Sequence, residues 1–211
     1  MNKRQLAIGT HILIVILEII GFIITIRRNG FMCFCLYTQE SNLLLLITSI
    51  LYLYYTLFRH QNTLPSLLST LKYIAVCLLS VTFFVVIFVF LPMTLPTDLQ
   101  LAMRFLFGNA NLFMHILCPI LAVVSYLIFE HDYSPTKRDT LWALVPTFLY
   151  ACISMVLNVA KIVCGPYPFL YVYEQPVWLS VFWFLAVLLV AYIFALLIRR
   201  IKKRICPKVF T

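Results

Sequence analysis

The chain has 211 residues, of which 64% are hydrophobic and only 11% charged. Its mean hydropathy of +1.01 lies far outside the usage of water-soluble domains, so a soluble globular core and a disordered polar chain are both excluded. The 16 Lys and Arg against 7 Asp and Glu give a formal net charge of +9, and the charges fall between apolar runs too long for the strands of a transmembrane β-barrel.

A hydrocarbon core takes about 20 helical residues to cross. Six runs meet that length: Gln5 to Ile26, Thr38 to Phe58, Leu68 to Leu91, Leu101 to Phe129, Thr140 to Cys164 and Pro176 to Ile198. The first is too long for a cleaved signal peptide, and Glu18 interrupts it. The expected fold is therefore all-α: a polytopic membrane protein with six transmembrane helices in a single domain, residues 1–211.

Orientation follows from the basic residues. Twelve of the 16, including Lys3, Arg4, Lys72, Lys202 and Lys208, fall on the side of the N-terminus, and Arg27, Arg28, Arg104 and Lys161 fall on the other. The positive-inside rule then places both termini in the cytoplasm. The basic cluster from Arg199 to Lys208 directly follows a span, a position suited to anionic lipid and not to nucleic acid. The 7 cysteines show no zinc-type spacing, so neither a metal nor a cofactor is expected. Most read as small packing residues, while Cys33 and Cys35 in the first outer loop are candidates for oxidation with Cys164.

Four titratable groups sit within or at the edge of the spans: His11, Glu18, His115 and Lys161. Such groups are costly in lipid and are expected to face the bundle interior. Glu130 and His131 read as solvated loop residues. At about 1.5 Å per residue, Glu18 and His115 lie about 20 Å above the cytoplasmic helix ends, Asn42 about 24 Å, Asn111 and Asn158 about 27 Å, and Thr38 and Lys161 about 30 Å. All of them fall in the outer half of the membrane. Thr38, Ser41 and Asn42 share one helical face, Asn111 and His115 another, and Thr147, Tyr150, Ser154, Asn158 and Lys161 a third. An imidazole beside a hydroxyl can remove its proton and make it a nucleophile. Glu18 is placed to orient the imidazole, and Asn42, Asn111, Asn158 or Lys161 to stabilise an oxyanion.

Three strings then carry a resemblance. They are Tyr37-Thr38-Gln39-Glu40-Ser41-Asn42-Leu43, His115-Ile116-Leu117-Cys118-Pro119 and Gly165-Pro166-Tyr167-Pro168-Phe169-Leu170, in that order along the chain. Together they resemble the androgen-induced transmembrane hydrolase superfamily, in its bacterial branch of small six-span proteins. The resemblance implies an intramembrane threonine hydrolase of fatty acid esters, with Thr38 as nucleophile and His115 as base. It also implies an acidic side chain further along the histidine's span, where this chain has Ser125.

The expectation is a lipid-ester hydrolase of the bacterial plasma membrane, acting on a membrane lipid or fatty acid ester without metal or cofactor. Two alternatives stand beside it. One is a small proton-coupled transporter using Glu18 and His115, which a mainly apolar cytoplasmic half weighs against; the other is a non-catalytic scaffold whose polar stripes join the helices.

Overall fold

The computed structural model describes residues 2–61, 63–94, 99–108, 110–131, 133–163, 167 and 170–206. Cys164, and with it the expected oxidation partner of Cys33 or Cys35, lies outside the described residues, as do Lys208, the side chain of Arg104 and most of the third string. Six helical spans are long and apolar enough to cross a membrane: Lys3–Cys35, Tyr37–Phe58, Ser66–Met93, Leu112–Phe129, Lys137–Val159 and Val177–Ile205. No strand occurs among the described residues. The chain is an all-α integral membrane protein.

The first span starts at a capping box, in which the Asn2 side chain accepts from Arg4 N and the Gln5 side chain accepts from Asn2 N. Its α-helix ends where Gly30 takes φ 60°, a conformation glycine adopts without cost. His11, Ile14, Glu18, Gly21 and Thr25 face inward, whereas Ile12, Ile16, Ile19 and Ile23 face outward and are exposed. Polar groups inside and aliphatic groups outside reverse the pattern of a soluble helix, as lipid surroundings require. At Gly21 an added Cβ would come 3.0 Å from the Met114 side chain, so the glycine lets the fourth span approach closely.

The third span is the axis of the bundle. Every residue from Lys72 to Thr82 is buried, and this span has the highest mean hydropathy, 3.1, because neighbours cover it on all sides. The sixth span crosses it through the buried small residues Ala191 and Ala195, and the Tyr73 hydroxyl donates to the Ala195 carbonyl at 2.6 Å.

The first and sixth spans run further than expected, to Cys35 and Ile205, and the fourth and fifth are redrawn. The run from Leu101 to Phe129 would make a helix of about 43 Å, too long for a core of about 30 Å. It divides at Gly108 into a short helix, Leu99–Phe107, and the span Leu112–Phe129. The fifth span starts earlier than Thr140, at Lys137, behind a capping box in which Thr136 and Asp139 bond reciprocally, and it ends at Val159.

At the end of the bundle that carries the termini, charged groups meet in the interior. Glu130, which follows the wide π turn Ser125–Phe129, accepts from Lys72 Nζ at 2.5 Å on Oε2 and from Ser125 Oγ at 2.9 Å on Oε1. His11 Nε2 is 2.9 Å from Glu130 Oε1, and its Nδ1 is 3.0 Å from Ser49 Oγ. Lys72 Nζ also lies 3.7 Å from the centre of the Tyr52 ring. Lys202, 1% exposed, donates to the carbonyls of Tyr126 and Glu130. The first, second, third, fourth and sixth spans are tied here. Lys3 Nζ is 2.9 Å from His131 Nε2, and His131 Nδ1 is 2.7 Å from Cys206 Sγ, so both ends of the described chain sit on the same face.

This network corrects the sequence expectation. Lys72 and Lys202 read as topology-setting charges and Glu130 as a surface residue, yet all are buried because each meets an opposite charge or backbone carbonyls. Burial alone would push the Glu130 carboxyl up, but the adjacent Lys72 ammonium and the His11 bond hold it well below the usual carboxylate range.

Glu130→Gln keeps the shape and removes the charge opposite the buried Lys72 ammonium, so a loss of about 3–5 kcal/mol is expected in detergent unfolding. A folded-state carboxyl held below its unfolded value stabilises fully above that value, about 4.3 for glutamate, and progressively less as pH falls through and below it. Wild-type stability should decline in that acid window, and the variant should lose Glu130's share of the decline. A variant as stable as wild type would show that the pair does not hold this end together.

Candidate functional site

Thr38 lies in the first turn of the second span and is buried. It stands in the wall of an apolar cavity with about 600 Å³ of empty space, at the end of the bundle away from the termini. The second, third, fifth and sixth spans and the segment around Leu170 enclose this cavity. Aliphatic and aromatic side chains such as Val85, Phe90 and Trp183 make most of its lining. The polar exceptions are hydroxyls. Tyr37 Oη is 2.7 Å from Thr147 Oγ1, the Tyr150 hydroxyl donates to the Cys35 carbonyl at 2.9 Å, and the Tyr167 phenol meets the side chains of Thr38 and Tyr150.

His115 falls in the wide π turn Leu112–Leu117 of the fourth span. Its Nδ1 is buried without a hydrogen-bond partner among the described residues, and the side chain is not part of the cavity lining. Local chemistry links it to Thr38. In the wide turn Cys118 N donates to Phe113 O, so residue 119 would serve the Met114 carbonyl; it is proline and has no N–H. The Asn42 amide fills that place, donating to Met114 O at 3.3 Å and to Thr38 O at 2.8 Å. One side chain thus joins the backbones on which Thr38 and His115 stand.

The other expected residues divide. Ser41 is buried and spends its hydroxyl on the Tyr37 carbonyl at 2.7 Å. Asn42 has committed both amide hydrogens to carbonyls, so it holds the backbone and does not serve as an oxyanion donor. Asn158 is buried and donates to the Leu170 carbonyl at 2.8 Å, which fixes part of the cavity wall. Asn111 is half-buried at the start of the fourth span, where its N–H donates to Gly108 O. Lys161 lies apart from the cluster, a correction to its expected role: it is exposed beyond the end of the fifth span with φ 56°, and its ammonium is 4.9 Å from the centre of the Tyr173 ring. The helix ends before it, and a long charged side chain at a span end turns toward solvent.

Glu18 is 0% exposed, and neither carboxyl oxygen bonds a nitrogen or oxygen atom among the described residues. It lies against the Cys118 thiol and does not orient His115 through Nδ1. The residues missed by sequence reading are Tyr37 and Tyr167, whose signal was hidden because tyrosine counts as apolar in span patterns. Thr147 and Tyr150 were visible in the stripe on the fifth span.

Compared with protein-family models, with curated proteins and with solved structures, the chain matches none.

Asn42→Ala removes the donor to a carbonyl that no backbone N–H serves in this turn. A buried acceptor left unsatisfied costs about 1–3 kcal/mol, so the melting temperature in detergent should fall, whereas Asn111→Ala at the half-buried end of the span should change it less. Equal melting of Asn42→Ala and wild type would mean that the bridge carries no weight.

Proposed function

We propose that this chain is an intramembrane lipid-ester hydrolase in which Thr38 is the nucleophile and His115 the base. The observation that carries the reading is a threonine hydroxyl in the wall of a mainly apolar cavity within the spans. In the proposed reaction His115 Nδ1 takes the Thr38 hydroxyl proton as Oγ1 bonds the ester carbonyl carbon. The ester C–O bond breaks, the departing alcohol takes the proton, and water then cleaves the acyl-threonine by the same relay. Among the hydroxyls on the cavity wall, those of Tyr37 and Tyr167 are the candidates to donate to the oxyanion, since that of Tyr150 is given to the Cys35 carbonyl. Tyr167 gives way from Thr38 when the ester enters. The resemblance to androgen-induced transmembrane hydrolases supports the same pair.

The basic asymmetry supports a cytoplasmic terminal face, which puts the cavity in the outer leaflet of what we take to be a bacterial plasma membrane. In this reading a fatty acid ester enters sideways from lipid. The exposed residues Arg200, Lys203 and Arg204 of the C-terminal cluster suit anionic lipid, while Lys202 is committed inside. A proton-coupled transporter is the second reading. It is favoured by the His11, Lys72 and Glu130 network, which makes the terminal half less apolar than the sequence suggested, and by Glu18 on the same helix face about 10 Å away.

Thr38→Ala should abolish both ester hydrolysis and covalent labelling by a fluorophosphonate lipid analogue. His115→Ala should lower hydrolysis by about 10² to 10⁴-fold. Hydrolysis within tenfold of wild type in either variant would remove the assignment, and proton-linked uptake by liposomes would favour the transporter. Reporter tags at the two termini should both be cytoplasmic and one near Asn29 external; the reverse would move the cavity to the inner leaflet.

A further inference from the structure

A second cavity, with about 810 Å³ of empty space, opens at the terminal end. It lies between the first turn of the first span, the segment after the second span and the corner at residues 129–131. Its rim carries Lys3 and Arg4, both exposed and both held in place: Lys3 Nζ donates to His131 Nε2 at 2.9 Å, and Arg4 Nη2 donates to the Thr56 carbonyl at 3.1 Å. Gln61 and Thr63 add an amide and a hydroxyl. Among the described residues the one carboxylate on its wall is Glu130. Lys72, Ser125 and His11 occupy that carboxylate from the interior side, and the Lys72 ammonium compensates its charge. The basin is rich in donors and positive charge, so its complement is an anion rich in acceptors. Leu64 and Phe129 give it an apolar border, and it opens at the terminal-side ends of the first, second and fourth spans.

We propose that this basin binds a phosphate ester, with Lys3 and Arg4 as the charged contacts. The phosphate belongs either to the headgroup of an anionic phospholipid, seated with its glycerol against Leu64 and Phe129, or to a free organic phosphate. The site is separate from the Thr38 cavity and does not depend on the hydrolase reading. It is also separate from Arg27 and Arg28, exposed at the other end of the first span, which serve as its control.

The test uses the full chain purified in detergent and examined by native mass spectrometry with phosphatidylglycerol, phosphatidylcholine or glycerol 3-phosphate. Three proteins are compared: wild type, Lys3→Gln with Arg4→Gln, and Arg27→Gln with Arg28→Gln. Each basic side chain near the surface contributes about 1 kcal/mol to anionic lipid, so the rim pair should lower phosphatidylglycerol retention roughly tenfold or more, and the Arg27 and Arg28 pair, remote from the basin, should leave it near wild type. Melting temperatures of the exposed-site variants confirm that the fold is kept. Retention of phosphatidylglycerol with this sensitivity supports the basin and assigns a lipid headgroup. Binding of glycerol 3-phosphate alone, with the same sensitivity, supports it and assigns a soluble phosphate. Equal retention of phosphatidylcholine, no loss in the rim pair, or an equal loss in the Arg27 and Arg28 pair overturns the proposal.

Discussion

The contact between Lys72 and Glu130, at 2.5 Å, is the interaction around which the terminal end of the bundle is arranged. Neither charge is tolerable alone in a dry interior, so each dictates where the other's helix must stand. Glu130 reaches inward because the wide turn before it shifts the helix end, and His11, Ser125 and Ser49 complete the bonds that the pair leaves open. Replacing such a group with well-packed apolar residues often costs nothing in stability. Its value here is register. Five spans are fixed in depth by side chains with one satisfactory arrangement, whereas apolar helix faces in lipid slide past one another at little cost.

The far end is organised by different means. There the third span passes between neighbours without any charged residue, and hydroxyls and amides replace ions: Asn42 serves the carbonyl orphaned by Pro119, Asn158 holds Leu170, and Tyr37 meets Thr147. Aromatic side chains around them, Phe90, Trp183 and Phe184 among them, line the apolar cavity that Thr38 borders. The two ends therefore offer contrasting environments. One is an apolar chamber with scattered hydroxyls, suited to a neutral chain; the other is an open basin of cations, suited to a phosphate.

Glu18 stands between these regions, fully buried and in contact with the Cys118 thiol. Gly21, one turn further along, brings the fourth span close enough for that contact, and Thr25 points its hydroxyl at the Met114 sulfur at 3.8 Å. The inward face of the first span thus mixes small and polar residues, Ala7, His11, Glu18, Gly21 and Thr25, with the larger Ile14 and Phe22. Its outward face is mainly aliphatic, so lipid and protein neighbours read different sides of the same helix.

The sequence alone was sufficient for the fold class and for the six spans, because hydrocarbon thickness sets a length and composition that each run must satisfy independently of the others. It also sufficed for the inward faces, since His11, Glu18 and Thr25, or Thr147, Ser154 and Asn158, recur at helical spacing whatever they touch. The partners were beyond it. That Glu130 is an interior ion and not a loop charge depends on Lys72, 58 residues earlier in the chain. That Lys161 leaves the cluster depends on where the fifth helix stops, and that Tyr167 meets Thr38 is a contact between residues 129 positions apart that helical spacing cannot report. Periodicity reports which side of a helix is polar. Which helices face one another, and at what depth, is settled by pairing buried charges and unsatisfied carbonyls across the bundle, and that pairing exists only in the tertiary structure.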